Sequence, residues 1–189
     1  VSGHGVPAAL VVSVFKMAFT VQKEFPQTPG QLFENLNNIL IGNTGGEFIT
    51  ASFAALDPNS LQLWVVNAGH PSLLVHRRRT AAIIELRPHG RILGCFDSAH
   101  FQVETLQLQP GDRIIQYTDG LTEARQDGVL VATRLKDRLL ELSDVPVDRL
   151  LDQLIEEVTE WSGGREKIHD DVAMLAFEIT EAPPQDQER

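Results

Sequence analysis

The hydrophobic period of this chain changes twice, and that change limits its fold more than any other feature. Pro7 is followed by Ala8, Ala9, Leu10, Val11, Val12, Val14, Phe15, Met17, Ala18 and Phe19. The run predicts a mostly buried helix with proline tolerated in its first turn. Thr28-Pro29 supplies an N-cap and first residue for a second helix, in which Leu32, Phe33, Leu36, Ile39 and Leu40 share one face before Gly42 ends it. The pattern then turns to strands. Residues 48–56 and 61–66 flank the turn cluster Asp57-Pro58-Asn59-Ser60 and should pair as an antiparallel hairpin. Residues 72–76 and 82–86 pair across Arg77-Arg78-Arg79-Thr80, and residues 101–108 lead through Gln109-Pro110-Gly111-Asp112 into 113–117 as a continuing meander. Helical spacing returns over 133–142 and 148–161, where Leu150, Leu151, Leu154, Ile155 and Val158 recur at three and four residues. A last strand over 172–179 precedes a polar tail from Glu181, expected to be disordered. Strands and helices grouped in blocks favour an α+β fold, an antiparallel sheet core covered by helices.

Composition narrows the function classes. At 189 residues and 42% hydrophobic content the chain can bury one substantial core, so one domain is expected. No stretch reaches about 20 uninterrupted apolar residues, and Lys16 and Gln22 interrupt the opening helix, so a soluble protein is expected. The sequence begins with Val1 and has no charged leader, which reads as an excised piece. The single Cys95 cannot form an internal disulfide and suits a reducing, cytoplasmic setting. It is followed by Phe96, Asp97, Ser98, Ala99, His100 and Phe101. No arginine follows to hold a phosphate, which excludes cysteine-dependent phosphatase chemistry. Sixteen basic against 26 acidic residues give a net charge of −10, which opposes nucleic acid and anionic membranes.

Four short segments could carry chemistry. Tyr117-Thr118-Asp119-Gly120 ends an apolar strand; Asp119 is either a turn residue or a carboxylate ligand at a sheet edge. His169-Asp170-Asp171 precedes the last strand, where adjacent carboxylates repel unless a cation or solvent screens them. If Asp119 and Asp170 converge, an all-carboxylate site favours hard ions such as Mg²⁺ or Mn²⁺. Ser2-Gly3-His4-Gly5 feeds a helix amino terminus, suited to anions or close metal approach, and equally to a tight connection. Asn67-Ala68-Gly69-His70-Pro71 has turn composition, with His70 either structural or near a site.

Taken in order, Val1 to Ala9, Asn67 to Pro71, Gly90 to Gly94, Tyr117-Thr118-Asp119-Gly120-Leu121-Thr122-Glu123-Ala124 and Asp170-Asp171-Val172 resemble the signatures of PPM-type metal-dependent serine/threonine phosphatases, SpoIIE/RsbU branch. The resemblance spans nearly the whole chain. It implies an α-β-β-α sandwich of two mainly antiparallel sheets with a two-ion Mn²⁺ or Mg²⁺ centre, over residues 1–180, with residues 181–189 as a tail. By position Asp119 and Asp170 look like carboxylate ligands, Val1 would offer its carbonyl, and Asp171 and Gly120 would flank the metals. Ser2, Gly3, His4, Asn67 and His70 are further candidates for the site loops. The implied reaction is direct attack of metal-activated water on phosphoserine or phosphothreonine.

One departure matters. The family's aspartate that bridges both metals would stand just before Val1, and the strands preceding it are also missing, so the resemblance implies phosphatase activity for the parent protein and weak or absent activity for this piece. An unpaired sheet edge is expected to favour self-association, such as a homodimer. The branch further implies a STAS-type anti-sigma-factor antagonist as phosphorylated substrate, an upstream sensor or receiver domain, and a movable pair of opening helices. A non-catalytic binding or signal-relay module with the same fold is the main rival. A nuclease is disfavoured by charge, and Arg77-Arg78-Arg79 reads as a solvated turn.

Overall fold

The computed structural model describes residues 1–25, 27–123, 125–126, 129–130, 134–168 and 170–180. Ala124, Thr133, His169 and the tail from Glu181, all part of the sequence expectations, lie outside them. The chain divides into two compact units: residues 1–57, 62–70 and 87–106, and residues 58–61, 71–86 and from 107 onward.

The first unit holds α1 (Gly5–Gln22), α2 (Pro29–Leu40), β1 (Ala51–Leu56), β2 (Gln62–Ala68) and most of β5 (Glu104–Gln107). β1 and β2 pair antiparallel from Ala51↔Ala68 to Leu56↔Leu63, in a three-stranded sheet of order β1-β2-β5. Thr28 and Gln31 form the capping box that starts α2. The Gln31 N–H donates to Thr28 Oγ1 at 3.3 Å and the Thr28 N–H donates to Gln31 Oε1 at 3.0 Å. Just past its end, Gly42 takes φ +75°. Leu32, Phe33, Leu36 and Leu40 are buried as their spacing requires. Phe33 packs edge-on to Phe101 at 5.6 Å and tilted to Phe53 at 6.2 Å, and Phe19 reaches Phe53 at 6.1 Å.

α1 departs from expectation. It is not mostly buried, because its apolar residues surround the helix while only one stripe meets α2 and the sheet. Val11 and Ala18 are buried, with Val14, Phe15 and Phe19 packed on the same cluster, whereas Val6, Leu10, Met17 and Val21 are exposed. Despite Lys16 and Gln22, its 18 residues have a mean hydropathy of 1.5 and are long and apolar enough to cross a membrane by length and composition.

The second unit is built on a four-stranded antiparallel sheet of order β4-β3-β6-β9, from β3 (Leu73–Arg77), β4 (Ala82–Leu86), β6 (Asp112–Tyr117) and β9 (Met174–Glu178). Leu74, Ile115 and Tyr117 on one face pack with α3 (Asp119–Glu123), α4 (Leu135–Glu141) and α5 (Val147–Trp161) through Leu121, Leu139, Leu150 and Leu154. After α3, β7 (Arg125–Gln126) pairs antiparallel with β8 (Val129–Leu130). Both sheets are antiparallel and carry flanking helices, so the α+β class holds. The expected meander from 101–108 into 113–117 does not, because β5 and β6 belong to different sheets. The buried Asp112 explains the redirection. Its carboxylate accepts from the Gln109 N–H at 3.0 Å and pairs with Arg77 Nη2 at 3.0 Å, so the turn is anchored to β3.

On the helix-covered face, His76 lies opposite Arg113 in register, and both are about 2% exposed. Arg113 Nε donates to Glu178 at 2.7 Å, while His76 Nε2 and Arg113 Nη1 have no partner among the described residues. Burial first, then the charges of Arg113 and Arg78, hold the His76 pKa below its usual 6.5, with Asp112 opposing weakly. The folded state therefore holds His76 neutral while the unfolded chain protonates near 6.5. This stability is present above about pH 6.5 and is lost as pH falls toward the folded value. The urea midpoint should fall between about pH 6.5 and pH 5, more steeply than in His76→Gln. Parallel profiles for the two proteins would remove His76 as the cause.

Candidate functional site

β6 and β9 are neighbours with Tyr117↔Met174 in register, so the end of one strand and the approach to the other emerge side by side. Thr118 laces them together. Its N–H donates to the Ala173 carbonyl at 3.0 Å, its hydroxyl donates to the Asp171 carbonyl at 2.9 Å, and the Ala173 N–H donates back to the same hydroxyl at 2.9 Å. Asp119 follows as the first residue of α3, not as a simple Asp-Gly turn, and α3 is held down by Leu121, which is fully buried. Gly120 is required here by space: a Cβ would stand 2.5 Å from the Asp171 carbonyl oxygen and 3.1 Å from that of Asp170. The Asp170 carboxylate accepts from the Asp171 N–H at 2.8 Å, which fixes its orientation.

The structure thus brings Asp119, Gly120, Asp170 and Asp171 to one end of the second sheet, with all three carboxylates exposed. An exposed, all-oxygen donor set of this kind suits a hard divalent cation. Among the described residues no group of three or more His, Cys, Asp or Glu side chains is arranged to hold a metal ion. The same segment opens into a cavity of about 490 Å³ lined by Ile155, Val158, Thr159, Arg165, Ile168, Asp170, Asp171 and Val172.

The other candidates lie in the first unit. Val1 is exposed at the start of the loop, and His4 stands at the α1 N-cap without a capping side-chain bond. Ser2 and Gly3 are held by a residue that sequence reasoning passed over, Glu47. Ser2 Oγ donates to Glu47 Oε2 at 2.5 Å and accepts from the Phe48 N–H at 2.8 Å, while the Ser2 N–H donates to the Phe48 carbonyl at 2.9 Å. A Cβ on Gly3 would meet the Glu47 carboxylate at 2.8 Å. Asn67 and His70 form a backbone clasp. Asn67 Nδ2 donates to the His70 carbonyl at 2.8 Å and Asn67 Oδ1 accepts from the His70 N–H at 3.0 Å, while His70 Nδ1 meets Thr50 Oγ1 at 3.2 Å. The Gly90 to Gly94 segment packs on this turn: a Cβ on Gly69 would stand 2.7 Å from Ile92 Cγ2, and the Gly90 Cα lies against the Asn67 carbonyl. The buried Asn37, absent from the sequence candidates, secures the segment through the Gly94 N–H at 3.0 Å. Thr118, Glu47 and Arg165 were the further omissions. The paired glycines before Glu47 and the strand-end threonine gave only generic turn signals.

The chain belongs to the SpoIIE family (Stage II sporulation protein E), whose model matches residues 1–180. It is similar to the phosphoserine phosphatase RsbU of Bacillus subtilis (strain 168), 28% identical over 142 residues that cover 75% of this chain and 42% of RsbU. It resembles the solved RsbU and RsbW domains of a Mycobacterium tuberculosis protein at a TM-score of 0.81 and 28% identity, covering 97% of this chain and 51% of that one. The manganese-presoaked phosphatase domain of Bacillus subtilis SpoIIE has the same fold at a TM-score of 0.62 and 15% identity, covering 97% of this chain and 80% of that one. The chain spans less than half the length of the curated relatives RsbU and RsbP.

The Gly120 contact generates a test. Gly120→Ala should cost about 1–3 kcal/mol by overpacking against the Asp171 carbonyl and should also weaken Mn²⁺ binding by displacing the 170–171 segment. Thermal unfolding and calorimetric Mn²⁺ titration check the two effects. An unchanged melting temperature would show that the loop yields freely.

Proposed function

We propose that residues 1–180 form the catalytic domain of a metal-dependent phosphoserine/phosphothreonine protein phosphatase of bacterial signalling. The observation that carries this reading is the lacing of the Asp119 and Asp170-Asp171 segments at one strand end, within a chain of the SpoIIE family. Asp119 and Asp170 would hold Mn²⁺ or Mg²⁺, with Asp171 as a neighbouring donor; the Val1 carbonyl is the donor that the family resemblance adds. When bound, such cations lower the pKa of a water nucleophile and neutralise charge on the transferring phosphoryl group. The chain's own contribution is orientation. Thr118 fixes the two segments by backbone contacts, so Asp119 and Asp170 stay exposed toward a ligand and are not used up in ion pairs.

The finer reading follows the family. The substrate is a phosphorylated STAS-type anti-sigma-factor antagonist, in a cytoplasmic protein that couples to an upstream sensor or receiver domain and self-associates as a homodimer. The relative named phosphoserine phosphatase and the neighbour that joins RsbU and RsbW domains support this placing in sigma-factor signalling. Ser2, Gly3 and His4 would shape the loop beside Val1. Asn67 and His70 support that unit through the clasp already described.

A non-catalytic PPM-fold binding or relay module is the second reading, favoured by the lack of a complete metal-ligand group among the described residues. One experiment separates the two. In the full-length protein, phosphoserine-peptide hydrolysis should require added Mn²⁺ or Mg²⁺ and be lost with chelator, and Asp119→Asn should lower kcat by at least about a hundredfold. Hydrolysis that ignores chelator, or an Asp119→Asn variant that keeps metal-dependent turnover, would overturn the assignment of this residue. Metal binding without turnover on any phosphopeptide would favour the module.

A further inference from the structure

The cavity beside the carboxylate segment has two kinds of lining. Ile155, Val158, Ile168 and Val172 give it aliphatic lining, and Thr159, Arg165, Asp170 and Asp171 give it polar lining. Its volume of about 490 Å³ falls within the range of small-ligand pockets, which combine apolar lining with a few polar groups. Ile155, at 36% exposed, stands on the flank of the apolar stripe of α5 and lines the cavity.

Arg165 is the notable member. It belongs to the one-turn 3₁₀ helix Arg165–Lys167, which carries three charged residues in succession. The other two turn back onto their own loop: Glu166 lies over Gly164, and Lys167 Nζ would stand 2.9 Å from a Cβ on Gly163. Arg165 alone of the three lines the cavity, and its guanidinium makes no hydrogen bond or ion pair among the described residues. Asp170 and Asp171 line the same cavity, yet neither forms an ion pair with it. The Asp170 and Asp171 carboxylates outnumber this guanidinium in the lining, but once they hold cations, as the phosphatase reading requires, Arg165 is left as the cationic side chain among aliphatic residues, which suits a ligand both anionic and apolar.

We propose that this cavity is a substrate subsite, which receives an apolar side chain next to the phosphoserine while Arg165 meets an acidic group of the same peptide. The proposal rests on the phosphatase reading for the identity of its ligand, and it deepens that reading by naming a sequence preference. The aliphatic lining selects Leu, Ile or Val beside the phosphoserine. Arg165 selects an acidic residue nearby, which a lysine meets less well because only the guanidinium fork pairs bidentately.

Two fluorescein-labelled phosphoserine peptides test it, one with leucine beside the phosphoserine and an acidic residue next to that, the other with glycine at both places. Binding is read by fluorescence anisotropy and turnover by phosphate release, on the full-length protein with Mn²⁺. The leucine peptide should bind at least about tenfold more tightly than the glycine peptide, a preference of about 1.4 kcal/mol. Arg165→Ala and Ile155→Glu should each remove most of that preference, and Arg165→Lys should keep only part of it. Circular dichroism and thermal unfolding establish that the variants are folded.

If both peptides bind alike in the wild type, or the variants keep the preference, the subsite is wrong even where turnover is robust. A preference that depends on Arg165 without any turnover upholds the subsite and sinks the phosphatase reading. If Arg165→Ala weakens both peptides equally, Arg165 acts on the phosphate itself, and the flanking-residue proposal falls.

Discussion

The candidate site depends on one hydroxyl. Thr118 Oγ1 donates to the Asp171 carbonyl and accepts from the Ala173 N–H, at 2.9 Å each. The Thr118 backbone continues the ladder through the Ala173 carbonyl. These bonds carry the β6–β9 pairing past its last registered pair and fix where the chain turns into α3 on one side and reaches Asp170 on the other. Since the partners are backbone groups, the three carboxylates are positioned without being neutralised. Three acidic groups at one strand end lower stability by mutual repulsion, and exposure to water limits that cost. Such local conflict with stability is expected where a fold serves a ligand.

Part of this was legible in the sequence because its physics is local. The capping box at Thr28, the apolar face of α2 and the α5 repeat are set by residues three or four apart, and they appear where their spacing requires. The hairpins β1-β2 and β3-β4 were legible for the same reason, since a short turn joins strands that pair with each other. The sequence could not show that β5 and β6 separate into different sheets. Gln109-Pro110-Gly111 has the composition of a hairpin turn, and what redirects it is the buried contact of Asp112 with Arg77, 35 residues away in sequence. The exposure of α1 was also hidden, because an apolar residue carries no mark of which side of a helix will find a partner.

The candidate site divides along the same line. Asp119, Asp170 and Asp171 could be singled out as strand-end carboxylates, but the groups that position them could not. Thr118 is a common strand residue until its hydroxyl is seen between two backbone groups of the neighbouring strand. Glu47 looked like a loop residue, yet Ser2 and Gly3 both rest on its carboxylate. Arg165 sits in a charged, exposed stretch, and what distinguishes it from Glu166 and Lys167 is that it lines the cavity.

The glycines show why collinear motifs outlast any single chemical role. Gly69 and Gly90 serve close packing between the Asn67 to His70 turn and the segment around Ile92, with no donor or acceptor side chain needed from either motif. Gly120 serves the same need between α3 and the 170–171 segment, but there the backbone it admits belongs to the residues that carry the carboxylates. A larger residue at Gly69 or Gly90 would disturb the first unit's own packing, and one at Gly120 would move the segment that carries the Asp170 and Asp171 carboxylates. Motifs equally prominent in sequence therefore differ in consequence, and what separates them is whether the contacting backbone leads directly to a functional side chain.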